Sequence, residues 1–253
     1  MLNLNFITPK KMKLKLFLSI LLLSISRIGL SQINEDKLEF GLGITPCLSW
    51  VNSSTKMLKS GGSAMSFGFG AKINFKLSSK YALGFEVNLQ NIKAKTNFTG
   101  IDVEYNGIKK TSSNFDLDYK LKYIDLPVLL KMHTEPKNNI AIFGEFGASL
   151  GFLLNQLADV SSNELNLEQV NTQNPEDGDN FTLSNSSNGE KYSIKMNTLK
   201  VGLIFGSGIH YHLGNGSKVE LGLRYNLGLT DIYDEKKWTG TSHNLGLNLG
   251  FIF

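Results

Sequence analysis

A single cysteine, Cys47, serves all 253 residues, so no intramolecular disulfide can hold this chain together and no cysteine-based metal cage can be built from it. Proline is scarce, with five, and tryptophan scarcer, with two. The formal charge of +4 is no signature either. The first 31 residues contribute Lys10, Lys11, Lys13, Lys15 and Arg27 and no acid, which leaves 21 basic against 22 acidic groups in the remainder. A near-neutral remainder offers no polybasic face to nucleic acid. After residue 31 no apolar run reaches the roughly 20 residues of a membrane helix, and no G-x-S-x-G, Walker or zinc-protease motif occurs. Disulfide scaffolds, nucleic-acid binders and helical membrane proteins are excluded together.

What is present begins with an N-terminal segment unlike the rest. The lysines at 10–15 precede an apolar run from Leu16 to Ile25, and Gly29-Leu30-Ser31 then offers a small-x-small site before Gln32. That is the layout of a cleavable secretory signal peptide, its apolar run of about ten residues being too short to span a membrane. The domain plan is therefore a signal over 1–31 and one domain over 32–253. MKLKLFLSILLLS from Met12 is already a complete signal core, so translation can start at Met1 or Met12. No cysteine stands at the cleavage site to carry a lipid, so an N-terminal lipid anchor is not expected.

Eight stretches of the remainder alternate with period 2, the mark of strands whose faces meet different media. Leu38, Phe40, Leu42 and Ile44 share a face in the first, and Met65, Phe67, Phe69, Ala71, Ile73 and Phe75 in the second. The third sets Leu83, Phe85, Val87 and Leu89 against Gly84, Glu86, Asn88 and Gln90. The fifth sets Ile140, Ile142, Phe146, Ala148, Leu150 and Phe152 against Glu145, Gly147, Ser149 and Gly151. The sixth, seventh and eighth carry Leu199 to Tyr211, Val219 to Leu227 and Leu245 to Phe253 in the same manner, with Gly, Asn and single charges between. Connections alternate between short (78–80, 134–139, 214–217) and long (50–63, 96–115, 155–196, 230–242). This predicts an all-β fold, an eight-stranded antiparallel up-and-down transmembrane β-barrel in the outer membrane, with both mature termini periplasmic and the long loops outside.

A soluble lipocalin-like barrel in the periplasm would show the same alternation with the faces exchanged. Glycine and short polar residues dominate the polar faces here, which suits the cramped lumen of a small barrel better than a water-facing surface rich in Lys and Glu. Aromatic residues fall toward two rims, Phe75, Tyr81, Tyr211, Phe251 and Phe253 at one and Trp50, Tyr119 and Phe152 at the other, as at two lipid interfaces.

The fourth stretch, LDYKLKYIDLPVLLKMH (117–133), is irregular. Leu117, Tyr119, Leu121 and Tyr123 hold the apolar beat on odd numbers, then Leu126, Val128, Leu130 and Met132 on even ones, with Pro127 in the middle. A closed barrel has no edge for a proline, so a β-bulge at Ile124-Asp125 is predicted, flipping the facing of the strand and accommodating Pro127. YIDLPVLLKMH resembles the Y-[I/L]-[E/D]-[I/L]-P-L-L-L-K signature of the PorT-like outer-membrane β-barrel family of Bacteroidetes type, often labelled "porin family". The early FGLGITP segment, the Gly-rich GEFGASLGFLL strand and the terminal aromatic extend the likeness over the chain. The resemblance implies an eight-stranded outer-membrane barrel, a family mostly without assigned activity, with a few members in protein secretion.

Chemistry is sparse. His210 and His212 share a strand face without a third metal ligand, and PEDGDN (175–180) lacks calcium-loop spacing. His243 with Asp231 and Asp234 is the nearest approach to a catalytic set at the outer rim. No enzyme, metal or cofactor is expected. Eight strands enclose a lumen that side chains just fill, and the polar faces supply fillers of both signs: Glu39, Glu86, Glu145 and Glu220 against Lys72, Lys120, Lys200 and Arg224. Unpaired charges there are costly, so a paired network with Arg224 as hub is expected, and with it a plugged, non-conducting barrel. Phe251 and Phe253 end the last strand as a signal for the outer-membrane insertion machinery. The expected partners are outer-membrane lipid, that machinery, and envelope or secretion proteins met by the outer loops.

Overall fold

The computed structural model describes residues 37–53, 55, 58–105, 108–162, 166–171, 181–185, 191–192, 195–214, 216–234 and 238–253. The signal segment 1–31 and the PEDGDN loop lie outside them. Of the two compact units of the chain, Met1–Leu38 and Glu39–Phe253, the second holds the barrel.

The described residues form twelve strands: β1 (Leu38–Ser53), β2 (Leu58–Ser60), β3 (Ala64–Lys76), β4 (Tyr81–Tyr105), β5 (Ile108–His133), β6 (Ile140–Ser162), β7 (Asn166–Asn171), β8 (Phe181–Asn185), β9 (Lys191–Tyr192), β10 (Leu199–His212), β11 (Lys218–Gly228) and β12 (Gly240–Ile252). Eight close a ring in the order β1, β12, β11, β10, β6, β5, β4, β3 and back to β1. Closure joins the first ring strand to the last, Phe40 and Phe253 exchanging backbone hydrogen bonds of 3.0 and 2.8 Å. The short strands lie outside the ring, β2 and β8 on β4, β9 on β8 and β7 on β6. Short turns gather at one end of the barrel. In the tightest, Lys137 and Ile140 exchange backbone hydrogen bonds across Asn138 and Asn139, which both adopt positive φ (51° and 66°), as a two-residue turn matched to strand twist requires.

Alternation follows the pleat. On β1, β3, β10, β11 and β12 the large apolar residues point out and are exposed, Leu42 at 61% and Leu223 at 59% among them. Water would not tolerate so continuous a band, whereas lipid requires it. The soluble-barrel alternative, with its apolar face inward, is thereby overturned.

Two sequence expectations need correction. The long loop placed at 96–115 is the upper part of β4 and β5, paired from Thr96↔Leu117 to Tyr105↔Ile108, and 155–162 continues β6. The lipid-facing pattern ends before the strands do, and these strands run on past the membrane with their polarity exchanged.

The second correction concerns the bulge. β5 does not flip: Phe115, Leu117, Tyr119, Leu121, Tyr123, Asp125, Pro127, Leu129 and Lys131 all point inward and are buried. What changes at Tyr123–Asp125 is the medium on each side. The register shift lies in the β5–β6 ladder, where Lys122 faces Asn155 and Tyr123 faces Leu153, so the extra residue is Leu154 of β6. It is β6 that flips, from inward Glu145, Ser149 and Gly151 to inward Gln156, Ala158 and Val160. Pro127 keeps its place opposite Ser149, and the ladder to β4 jumps from Phe85↔Val128 to Asn88↔Asp125 beside it, where a residue without an N–H cannot donate.

Candidate functional site

Lumen-facing residues form two layers. The lower one, within the lipid-facing band, is built from charges. Arg224 of β11 is its centre. Nε and Nη2 donate to the Glu145 carboxylate at 2.6 and 3.0 Å, and Nη1 and Nη2 to that of Glu86 at 2.7 and 3.0 Å. A planar guanidinium with five donors can hold two carboxylates in this way, where an ammonium cannot. Lys131 of β5 lies among three acids, its Nζ 3.7 Å from Glu86, 3.6 Å from Glu145 and 3.5 Å from Glu220. Glu220 also accepts from Lys72 at 2.6 Å and Asn248 at 2.7 Å, and its other oxygen lies 3.0 Å from His210 Nε2. Phe143 stacks on His210 with centroids 4.4 Å apart. Toward the short-turn end Lys218 grips Glu39 at 2.8 and 2.9 Å and Lys76 reaches it at 3.1 Å. At the opposite end of this layer Lys200 pairs with Asp125 at 3.2 Å and lies 4.7 Å over the Tyr123 ring.

Glycine explains how these long side chains fit. Arg224 faces Gly206 on one neighbouring strand and Gly246 on the other. A Cβ at Gly206 would come 2.6 Å from the Glu145 carboxylate, and one at Gly43 3.2 Å from the Lys72 side chain. The Gly-rich polar faces are thus the floor on which fillers from adjacent strands lie.

The upper layer is apolar. Val51, Leu58, Ile92, Phe98, Phe115, Leu117, Tyr119, Leu121, Tyr123, Val160, Met196, Ile232, Tyr233 and Trp238 form one buried cluster. Phe98 contacts Phe115 and Trp238 with centroids at 5.4 and 4.9 Å, and Tyr233 meets Trp238 edge-on at 6.2 Å. Burial pushes the phenol pKa of Tyr119 and Tyr233 upward, so both remain neutral. Ile232, Tyr233 and Trp238 come from the β11–β12 connection, which folds back into the barrel mouth. Asn197 holds it there, its amide donating to the Ile232 carbonyl and its side chain to the carbonyls of Asp231 and Tyr233 at 3.1 and 2.8 Å.

Of the residues singled out from the sequence, the fold brings Arg224 to Glu86 and Glu145 and Lys72 to Glu220, while Glu39 and Lys200 pair with Lys218 and Asp125. Lys120 is a correction. It points outward on the upper part of β5, 43% exposed, and pairs with Asp159 at 2.7 Å. On an extension whose apolar face is internal, the polar face is the outer one. Tyr119 changes sides for the same reason and belongs to the core instead of the outer aromatic ring. Sequence reasoning passed over Lys131 and Lys218. Lys131 shares the odd parity of Asp125, and Lys218 the even parity of Glu220 and Arg224, so parity along each strand would have found both. The fold does not assemble His243, Asp231 and Asp234 into one set, and Asp234 is placed by its backbone amide, which donates to the Lys195 carbonyl at 3.0 Å. His243 faces outward between Trp50 and Tyr225, held by the Tyr225 and Thr241 hydroxyls at 2.9 Å each, while Asp231 accepts from the backbone amides of Tyr233 and Gly240. Among the described residues no group of three or more His, Cys, Asp or Glu is arranged to hold a metal ion.

Comparison with solved structures finds outer-membrane proteins of low sequence identity. Neisserial surface protein A (NspA) is 15% identical, with 85% of this chain and 95% of that one covered at a TM-score of 0.41. OprG of Pseudomonas aeruginosa is 11% identical, with 86% and 96% covered at 0.44. Ail, the attachment invasion locus protein of Yersinia pestis, is 14% identical, with 86% and 99% covered at 0.36. A search of curated proteins found no match. The family model for the outer membrane protein beta-barrel domain matches residues 31–234, most of the chain, and this protein, an eight-stranded barrel of the outer membrane, belongs to that family.

Proposed function

We propose that this barrel is a non-enzymatic, non-conducting outer-membrane protein that holds a tall β-structure and its loops at the cell surface for contact with partners. The observation that carries this reading is the double closure of the lumen, by the Arg224–Glu86–Glu145 ion-paired layer and, above it, by the apolar layer around Trp238 and Tyr119. A water-filled path would have to cross both. The reading includes cleavage of residues 1–31, periplasmic placement of both mature termini, insertion by the outer-membrane machinery with Phe251 and Phe253 at the end of the last strand, and a surface formed by the region 155–196 with the β4–β5 extension. Purified protein in a planar bilayer tests it. No steady current is expected, and conductance of porin-like magnitude overturns it.

A second reading, a PorT-like accessory to protein secretion, is favoured by one observation, the YIDLPVLLKMH stretch of β5. Loss of cargo export in a deletion strain would support it, and normal export would rule it out.

A further inference from the structure

Outward side chains on β4 and β5 change chemistry within a single rung. Leu89 stands opposite Ile124. The next outward pairs up the barrel are Asn91 with Lys122, Lys93 with Lys120, and Lys95 with Asp118. Each such rung advances two residues, roughly 6.8 Å along the strand and about 5 Å in height at a tilt near 40°. Lys122, Lys93 and Lys120 therefore stand about 5 to 10 Å above the last lipid-facing pair, the depth of the headgroup region.

Their arrangement is unfavourable by itself. Lys93 directly faces Lys120, and like charges opposite one another on a sheet repel. Lys120 reaches Asp159 at 2.7 Å and Lys95 reaches Asp118 at 3.3 Å, but those two acids also face each other across β5 and β6. Among the described residues, Lys93 and Lys122 have no carboxylate partner. Lys93, Lys95 and Lys120 line a surface concavity of about 420 Å³, with Asp118 and Asp159 beside them and Met65, 71% exposed, on its lip. Met65 is an outward residue of β3, the strand that carries lipid-facing Phe67 and Phe69. The flank beyond β3 differs. Ser49 donates to the Lys93 carbonyl at 2.8 Å, so Trp50, next to Ser49, lies at the same height, and there Trp50, Tyr225 and His243 make a stack of rings without a lysine.

We propose that the Lys93–Lys120–Lys122 patch binds the phosphate-bearing headgroup of a membrane lipid, whose acyl chains descend past Met65. The excess positive charge at headgroup depth, its one-sidedness and its continuity with the apolar band select a net anionic phosphate headgroup over a zwitterionic one such as phosphatidylcholine. An anion between Lys93 and Lys120 turns their repulsion into two attractions.

The test uses the full chain in phosphatidylcholine nanodiscs doped with bis-phosphorylated lipid A, counting retained lipid A by native mass spectrometry. Wild type is compared with K93Q/K120Q/K122Q, with K93R/K120R/K122R, and with K80Q/K137Q at the short-turn end. Heat-modifiable gel mobility checks folding of each. About 1 kcal/mol per cation near an anionic surface corresponds to roughly a fivefold loss per lysine. The triple Gln variant is expected to lose most enrichment, the Arg variant to keep it, the control to match wild type, and added salt to weaken binding. Undiminished lipid A on the folded triple Gln variant overturns the proposal. So does equal retention of dephosphorylated lipid A, or displacement by millimolar inorganic phosphate, which would mark a site for a soluble anion.

Discussion

Below the level of Tyr123 the barrel is charged inside and apolar outside; above it, on the same strands, it is apolar inside and charged outside. β4 makes the comparison without interruption. Its even residues point inward throughout, from Ala82, Glu86 and Gln90 to Ile92, Ala94, Thr96 and Phe98. The pleat never changes, only the assignment of polarity to its two faces. In the lower part lipid claims the apolar face and the lumen must satisfy its own charges. In the upper part water claims the polar face and a conventional hydrophobic core fills the interior. A closed eight-stranded ring thus passes upward into extensions of β4, β5 and β6 packed over an apolar core, and the junction lies where Lys200 pairs with Asp125 and covers Tyr123.

The sharpest way to break this contrast is to remove the centre of each interior. Arg224→Ala leaves Glu86 and Glu145 buried with Lys131 as their nearest cation, and breaking a buried pair from one side costs roughly 3 to 5 kcal/mol. A large fall in Tm in detergent, measured with heat-modifiable mobility, is expected. Trp238→Ala removes a fully buried indole from the upper core, at a cost of roughly 3 kcal/mol, the low end for such truncations because its loop can relax. Here limited proteolysis is expected to attack the β11–β12 connection while the membrane-embedded strands stay protected. If both variants unfold the whole barrel alike, the two layers are not separable.

Outward positions sharpen the contrast by depth. Val128→Lys places a charge in the lipid band and is expected to cost about 2 to 4 kcal/mol of insertion, while Asn91→Lys, near the junction, should cost about 0 to 1, both read from unfolding in lipid vesicles. A lumen glycine comes next. Gly206→Val forces a branched side chain against the Glu145 carboxylate and should cost about 1 to 3 kcal/mol by overpacking, seen as a moderate drop in Tm with Arg224 intact. The smallest effect is expected for Lys120→Gln, which removes an exposed ion pair with Asp159 and should change stability by under about 1 kcal/mol. A loss comparable to that of Arg224→Ala would return Lys120 to the lumen.

The lower barrel was the legible half. Large apolar residues alternating with Gly, Asn and single charges announced strands between two media, and the fillers Glu86, Glu145, Glu220, Arg224 and Lys72 stood out as charges on otherwise small-residue faces. The upper half was obscured by its own regularity. Phe115, Leu117, Tyr119 and Leu121 alternate with polar residues as well as any lipid-facing strand does, and period 2 does not say which side water occupies. That ambiguity misplaced Lys120 and Tyr119 and turned a change of medium into a supposed flip of β5. The real flip on β6 was hidden because the Leu153-Leu154 pair at which the strand gains its extra residue is apolar on both sides of the step.

By itself, the sequence determined that the chain makes strands, that each carries one continuous apolar face, and that the intervening faces are small and mixed in charge, since these follow from residue type at period 2. Only closure of the ring decided which charges meet. Arg224, Glu86 and Glu145 lie on three different strands, and their contact depends on the stagger of the ladders between them. The tertiary structure likewise decided where inside and outside exchange chemistry, because that level is set by where β3, β10 and β11 stop while β4, β5 and β6 run on, a relation between strands that no single strand carries.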